Sequence, residues 1–379
     1  MPRIALVLVA GVAAVTAAVG GGVLDPHMDS SLVPGGCNAC HQGHGASRSP
    51  MLPKPQAEVC LSCHESDAAR NKAVLQGVLS EKARPQVLSS ALAQPYVHPL
   101  DENAFSRYEA GVVTCTSCHS PHRGMARSKV EAAVSRTPSR SPRSPIRAEF
   151  ELCQDCHGGG AGLKREPDEV GGRLDPRSRS YHPVKAPVRE RAPSLRSELS
   201  DKAIGCTDCH GNSAPDGAQG PHGSSVRSLL KAEYVAVDGV EESEKSYALC
   251  YQCHEREKVL DSQHFPEHRR HVVDLKASCA TCHDAHGSIE NRALVRIGER
   301  GAGTLVGPSA STGELAFVSS SPGSGSCYVT CHGYDHGPGV YGGPQIDNRA
   351  VRDHLRSRRR PATRTGDGEG RRRTGREPQ

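Results

Sequence analysis

Tryptophan is absent from this 379-residue chain, phenylalanine and methionine occur four times each, and aromatic residues make up only 3%. So few large side chains cannot build an ordinary aromatic-rich core for a protein of this length. Long apolar runs are also lacking. Beyond the first 22 residues no stretch is long and apolar enough to span a bilayer as a helix. Glycine (40) and proline (27) are abundant instead, the composition of a loop-rich chain. Something other than side chains must form the interior.

What the sequence does have is cysteine. All 16 fall into eight pairs, and a histidine follows the second cysteine of every pair. Seven pairs read C-x-x-C-H: Cys37, Cys40 and His41; Cys60, Cys63 and His64; Cys115, Cys118 and His119; Cys153, Cys156 and His157; Cys206, Cys209 and His210; Cys250, Cys253 and His254; Cys279, Cys282 and His283. The eighth, Cys327, Cys331 and His332, has one extra spacer residue. Structural zinc has no use for a histidine after every second cysteine, a redox pair occurs once rather than eight times, and a disulfide framework does not need this spacing. C-x-x-C-H is the attachment signature of c-type haem. The two thiols add to the porphyrin vinyl groups, and the histidine becomes the proximal iron ligand. Eight covalently attached haem c groups are expected. As large apolar plates, they would supply the missing core.

With these motifs the sequence resembles the multihaem c-type cytochromes with doubled C-x-x-C-H motifs, from about residue 27 to about residue 336. The expected fold is loop-rich and mainly α with few short helices, organised around the haem array as four repeated two-haem modules. The modules are placed at 23–64, 98–157, 182–254 and 255–340. A helical linker (65–97) and a loop (158–181) separate them, and a basic tail covers 341–379. Short helices are expected at "EVCLSCHES" and "YALCYQCHEREKVL", with a longer one near "ESDAARNKAVLQGVLSEKA" and a β-hairpin over 303–318.

The remaining histidines follow the same repeat. Each module has one in an "HG"-type position (His44, His122, His222, His286) and one upstream (His27, His98, His182, and one or more of His264, His268 and His271). Within "HFPEHRRHVV", His271 is the preferred upstream candidate. Eight irons then have eight second axial ligands. The resemblance implies that an "HG" histidine serves a neighbouring haem of its own module. His336, in "CHGYDHG", competes for a haem, and His354 is spare in the tail.

The first 22 residues, with Arg3, an apolar run from Ile4 to Val19 and small residues after it, read as a secretory signal peptide; an uncleaved anchor is the alternative. From Val351 onward ten arginines face four acidic residues, so the formal +5 resides in the tail and the rest of the chain is near neutral. That tail is either solvated or docks on an anionic surface. The insert "SRTPSRSPRSPIR" (135–147) reads as a linker. Nucleic acid is not an expected partner; an oligomer or filament is compatible with the sequence.

An iron held by two histidines has no open position for substrate, which suits electron transfer. The expected function is an exported electron carrier between redox partner proteins in periplasmic or extracellular respiration, with no catalytic residue. The alternative is a multihaem redox enzyme acting on nitrite, hydroxylamine or a sulfur oxyanion through one open haem. The absence of any C-x-x-C-K weighs against it.

Overall fold

The computed structural model describes residues 26–44, 51–104, 113–122, 145–158, 170–188, 190–199, 204–214, 217–261, 265–297, 306–321 and 323–342. The expected signal peptide, most of the 135–147 linker, the tail beyond 342, His264 and His354 lie outside them. The chain divides into two compact units. One comprises Met1–Ser89 and Pro99–Arg140, the other Ser90–His98 and Ser141–Gln379.

In the first unit, helix α1 (Gln56–His64) ends in the second motif. Glu58 in its first turn complements the helix dipole. Helix α2 (Asp67–Leu75) starts at Ser66, whose side chain accepts from Ala69 N at 3.2 Å. The longer helix expected here does not form. Gly77 adopts φ +71°, its N–H bonds Val74 O, and Val78 N bonds Ala73 O. This Schellman cap terminates the helix and turns Val78 and Leu79 back onto Ala73. Ala73, Leu79 and Ala83 form a small core with Leu32, Val33 and the attachment cysteine Cys63.

The second unit begins its motif region with helix α4 (Pro145–His157), α3 being the single turn Cys115–Cys118 of the first unit. Single turns also carry the motifs at α5 (Cys206–Cys209) and α8 (Cys279–Cys282). The short helical structure expected at "YALCYQCHEREKVL" is present as two pieces, α6 (Ala248–Tyr251) and α7 (Arg256–Leu260). Between them His254 bridges to Leu195 and Glu255 N bonds Ser194 O at 2.7 Å, so the backbone opens to accept a second segment. Tyr247, Tyr251, Leu260 and Val272 pack there against Cys250 and Cys279.

Two antiparallel ladders of two residues each recur in this unit. β1 (Tyr96–Val97) pairs with β3 (Gly223–Ser224), and β2 (Ser180–Tyr181) with β4 (Gly287–Ser288). Each joins the residues just before an upstream histidine to those just after an "HG" histidine. The glycines are required by this close approach: a Cβ on Gly223 would fall on the Ala91 carbonyl, and one on Gly287 on the Arg173 carbonyl.

The mainly α expectation fails at the C-terminal end. A three-stranded antiparallel meander runs through β5 (Ala316–Ser321), β6 (Ser324–Cys331) and β7 (Tyr334–Tyr341). The hairpin expected over 303–318 is displaced, because "LAFV" pairs with β6 downstream of it rather than with residues upstream. β6 and β7 meet at a two-residue turn, His332-Gly333, with φ +48° and +80°. Positive φ at both positions is the tight hairpin turn that matches strand twist. The eighth motif is therefore a strand and a turn, unlike the other seven.

Candidate haem-binding site

The C-x-x-C-H spacing closes one helical turn. The N–H of His41, His119, His210, His254 and His283 bonds the carbonyl of the first cysteine of its motif at 2.9–3.0 Å. Both thiols and the imidazole thus leave one turn together. After α3, α5 and α8 the histidine turns into extended backbone, with φ between −97° and −106°.

Among the described residues these pairs of histidine rings face one another. An imidazole binds a metal at about 2 Å, so two rings on opposite sides of one iron have centres about 6 Å apart. The first unit holds His27 with His64 (5.9 Å) and His41 with His122 (6.0 Å). The second holds His98 with His157 (6.4 Å), His182 with His254 (6.4 Å), His210 with His286 (6.2 Å), His268 with His283 (6.3 Å) and His271 with His336 (6.2 Å). Six pairs join a motif histidine to one outside the motifs.

Ring orientation is fixed from behind. Nδ1–H donates to a backbone carbonyl in His64 (Gln86, 3.0 Å), His98 (Pro221, 2.7 Å), His182 (Ala285), His210 (Ser228, 2.8 Å), His271 (Glu267, 2.8 Å) and His283 (Ala293, 2.7 Å). Nε2 is then the ring nitrogen left to bind metal. His254 Nδ1 and Ser194 Oγ share a hydrogen bond at 2.8 Å. Burial, reinforced by neighbouring histidines, pushes the pKa of His254 and of His268 down to about 4, which keeps both rings neutral and ready to ligate.

The attachment cysteines succeed one another in chain order. In the first unit Cys40 neighbours Cys63, and the thiols of Cys60 and Cys115 share a hydrogen bond. In the second, Cys153 bonds Cys206, Cys209 neighbours Cys250 and Cys253, Cys250 neighbours Cys279, and Cys282 neighbours Cys327 and Cys331. Burial raises Cys209 and Cys250 to about 11, and Cys279 and Cys282 to about 12, so these sulfurs sit in apolar surroundings.

Three polar side chains that the sequence did not single out hold these turns in place. Gln56 on α1 accepts from Thr116 N at 2.9 Å, and Glu149 on α4 accepts from Thr207 N at 2.8 Å. Each lies four residues before the first cysteine of its own helix and caps the turn of the next motif. Asp238 does the same for Ser278 N at 2.7 Å. The shared offset of Gln56 and Glu149 was a readable signal, hidden because the two residues differ in charge.

A carboxylate orients the ligand candidate His286. Asp284 accepts from His286 Nδ1 at 3.2 Å and pairs with Arg173 (2.9 Å) and Arg296 (3.3 Å). Burial alone would raise its pKa, but the hydrogen bonds from His286 and the Arg173 charge outweigh that and hold it at about 2. A carboxylate behind an imidazole strengthens it as a donor to ferric iron. Asp284→Asn is expected to raise the potential of a single haem, by something on the order of the ~59 mV that a tenfold change in a one-electron equilibrium represents. Spectroelectrochemical titration of the holoprotein measures it.

The expected ligand set is only partly brought together in the expected way. His122 faces His41, and His286 faces His210, each across a module boundary instead of within its own module. His268, not His271, faces His283. His44 is exposed, and no ring contact joins it to another histidine among the described residues. His119 and His222 are half-buried, His222 with its pKa lowered by burial. His332 is exposed at the hairpin turn.

Residues 31–69 match the family model for the doubled CXXCH motif, and residues 206–301 match the one described as cytochrome c-type protein NrfB-like. Both support a multihaem c-type cytochrome. No curated protein and no solved structure matches the chain. For a multihaem c-type cytochrome the residues fit the cofactor on geometry alone: the thiols leave one helical turn with the proximal histidine, and the paired rings stand one iron apart. When bound, haem c supplies a one-electron iron couple. Among the described residues no helix is long and apolar enough to cross a membrane.

Proposed function

We propose that this protein is an exported electron carrier with eight covalent haems, each iron held by two histidines, working between redox partner proteins. The iron-width separation of the histidine rings carries this reading. Paired imidazoles fill both axial positions, leave no site for a substrate, and need little rearrangement when the oxidation state changes. The succession of neighbouring attachment cysteines supports transfer from site to site in chain order within each unit. Small core clusters that include Cys63, Cys250, Cys279, Cys282, Cys327 and Cys331 support an interior completed by the porphyrins. The signal-peptide reading of residues 1–22 supports export, as haem attachment of this type takes place outside the cytoplasm.

Two measurements test it. Intact mass of the mature holoprotein is expected to show eight haems, and fewer than six would refute the modular reading. Carbon monoxide added to the reduced protein is expected to change the spectrum hardly at all. One native haem that binds it would instead favour a redox enzyme.

A further inference from the structure

Three attachment turns share one hydrogen-bond frame and differ in its charge. In α3, α5 and α8 the frame has two parts: an acceptor from outside the turn, and the residue just before the second cysteine. At α3 both are neutral. Gln56 accepts from Thr116 N at 2.9 Å, and Ser117 Oγ accepts from Thr114 N at 3.0 Å. At α5 both are carboxylates. Glu149 accepts from Thr207 N at 2.8 Å and from Thr207 Oγ1 at 3.1 Å, and Asp208 accepts from Gly205 N at 2.7 Å. At α8 one is a carboxylate. Asp238 accepts from Ser278 N at 2.7 Å and from the hydroxyl of Thr281, which holds the position of Ser117 and Asp208. These charges reach the attachment sulfurs. The hydrogen bond with Cys153 pulls the Cys206 thiol down, against burial and the Glu149 charge. Burial pushes Cys209 up to about 11, with Cys253 and then Asp208 adding to it and Lys231 opposing. Burial takes Cys282 up to about 12, with Cys327, Cys331 and Asp238 adding to it. The frames also stand where neighbouring sites meet, since Cys115, Cys206 and Cys279 are the cysteines that lie beside Cys60, Cys153 and Cys250.

We propose that the frame is a graded tuning device. Glu149 and Asp208 lower the potential of the haem at Cys206 and Cys209, Asp238 lowers that at Cys279 and Cys282 by less, and the neutral pair Gln56 and Ser117 leaves that at Cys115 and Cys118 unlowered. The proposal rests on the reading that these motifs carry covalent haem. Its cause is electrostatic. Ferric haem carries one more positive charge than ferrous haem, so a neighbouring carboxylate favours the ferric state. Passage of an electron from the site at Cys153 to the site at Cys206 is made less favourable by Glu149 and Asp208, and its onward passage more favourable. The same hydrogen bonds therefore hold the turn and set the step in energy at the contact between two sites.

The test is spectroelectrochemical titration of the holoprotein, with haem located by mass mapping of its peptides. Glu149→Gln and Asp208→Asn keep an oxygen acceptor and remove only the charge. Each is expected to raise the same single component of the titration, by about a tenfold change in its one-electron equilibrium, or ~59 mV. The double variant should raise that component further. Gln56→Glu is expected to lower a different component by a similar amount. If Gln56→Glu fails to take up its haem, the two carboxylate variants decide alone. A role confined to holding the turns predicts no shift in Glu149→Gln or Asp208→Asn, because the acceptor is retained. Unmoved potentials with the haem at Cys206 and Cys209 in place would overturn the proposal alone. A wild-type peptide that carries no haem at Cys206 and Cys209 would overturn it together with the reading beneath it.

Discussion

His122→Ala is expected to open one haem in eight. Its ring stands 6.0 Å from that of His41 with the planes only 13° apart, so on the proposed reading its removal strips one axial ligand from the iron at Cys37 and Cys40. The variant should gain a high-spin ferric signal and bind about one carbon monoxide per molecule when reduced. The haem at Cys60 and Cys63 keeps its own pair, His27 and His64. His44→Ala, three residues after His41 but exposed, should change nothing. If His44→Ala opened a haem and His122→Ala did not, the pairing described above would be wrong.

The largest stability effect is expected from Arg256→Ala. Glu242 is buried, with 1% of its side chain exposed, and its carboxylate accepts from Arg256 Nε and Nη2 and from Tyr251 Oη at 2.9 Å. Removing the guanidinium leaves a buried charge with a single neutral donor, which costs about 3–5 kcal/mol. The chemical denaturation midpoint of the holoprotein should fall accordingly, as followed by the Soret band. The double variant Glu242→Met, Arg256→Met should recover most of the loss, since apolar groups of similar volume remove the stranded charge along with its partner. Tyr247 and Tyr251 sit against Cys250 and Cys279, so the single variant should also loosen the surroundings of these two attachment sites.

What could be read in the sequence is what covalent chemistry dictates. Two thiols and an imidazole must leave one backbone turn together, so C-x-x-C-H is legible wherever it occurs. Histidines outside the motifs were legible by repeat position, and His27, His98, His122, His182 and His286 each face a motif ring. Which ring faces which was not legible, because it depends on how distant segments pair. "YVHP" meets the "HGS" at 222–224, and "SYHP" meets the "HGS" at 286–288, through ladders only two residues long. Ladders so short carry no periodic signal. The C-terminal meander was misread for another reason. Its central strand is "SGSCYVTC", and treating that segment as an attachment turn hid the alternation of Cys327, Val329 and Cys331 on one face against Tyr328 on the other. Likewise, "QGVL" looked like helix until the left-handed Gly77 ended it.

The pairing of rings across modules also constrains how the molecule can be made. On the proposed reading, a chain exported from its N-terminus presents Cys37, Cys40 and His41 long before His122, and Cys206, Cys209 and His210 before His286. Each porphyrin joined at these two sites must wait, with one side uncovered, for a stretch of chain not yet delivered. Sites closed from upstream, such as His64 with His27 and His254 with His182, would be complete at once, whereas His41 and His210 would wait for His122 and His286. A chain interrupted after His254 would be recognisable by an unsealed iron at His210, behind a sealed one at His254.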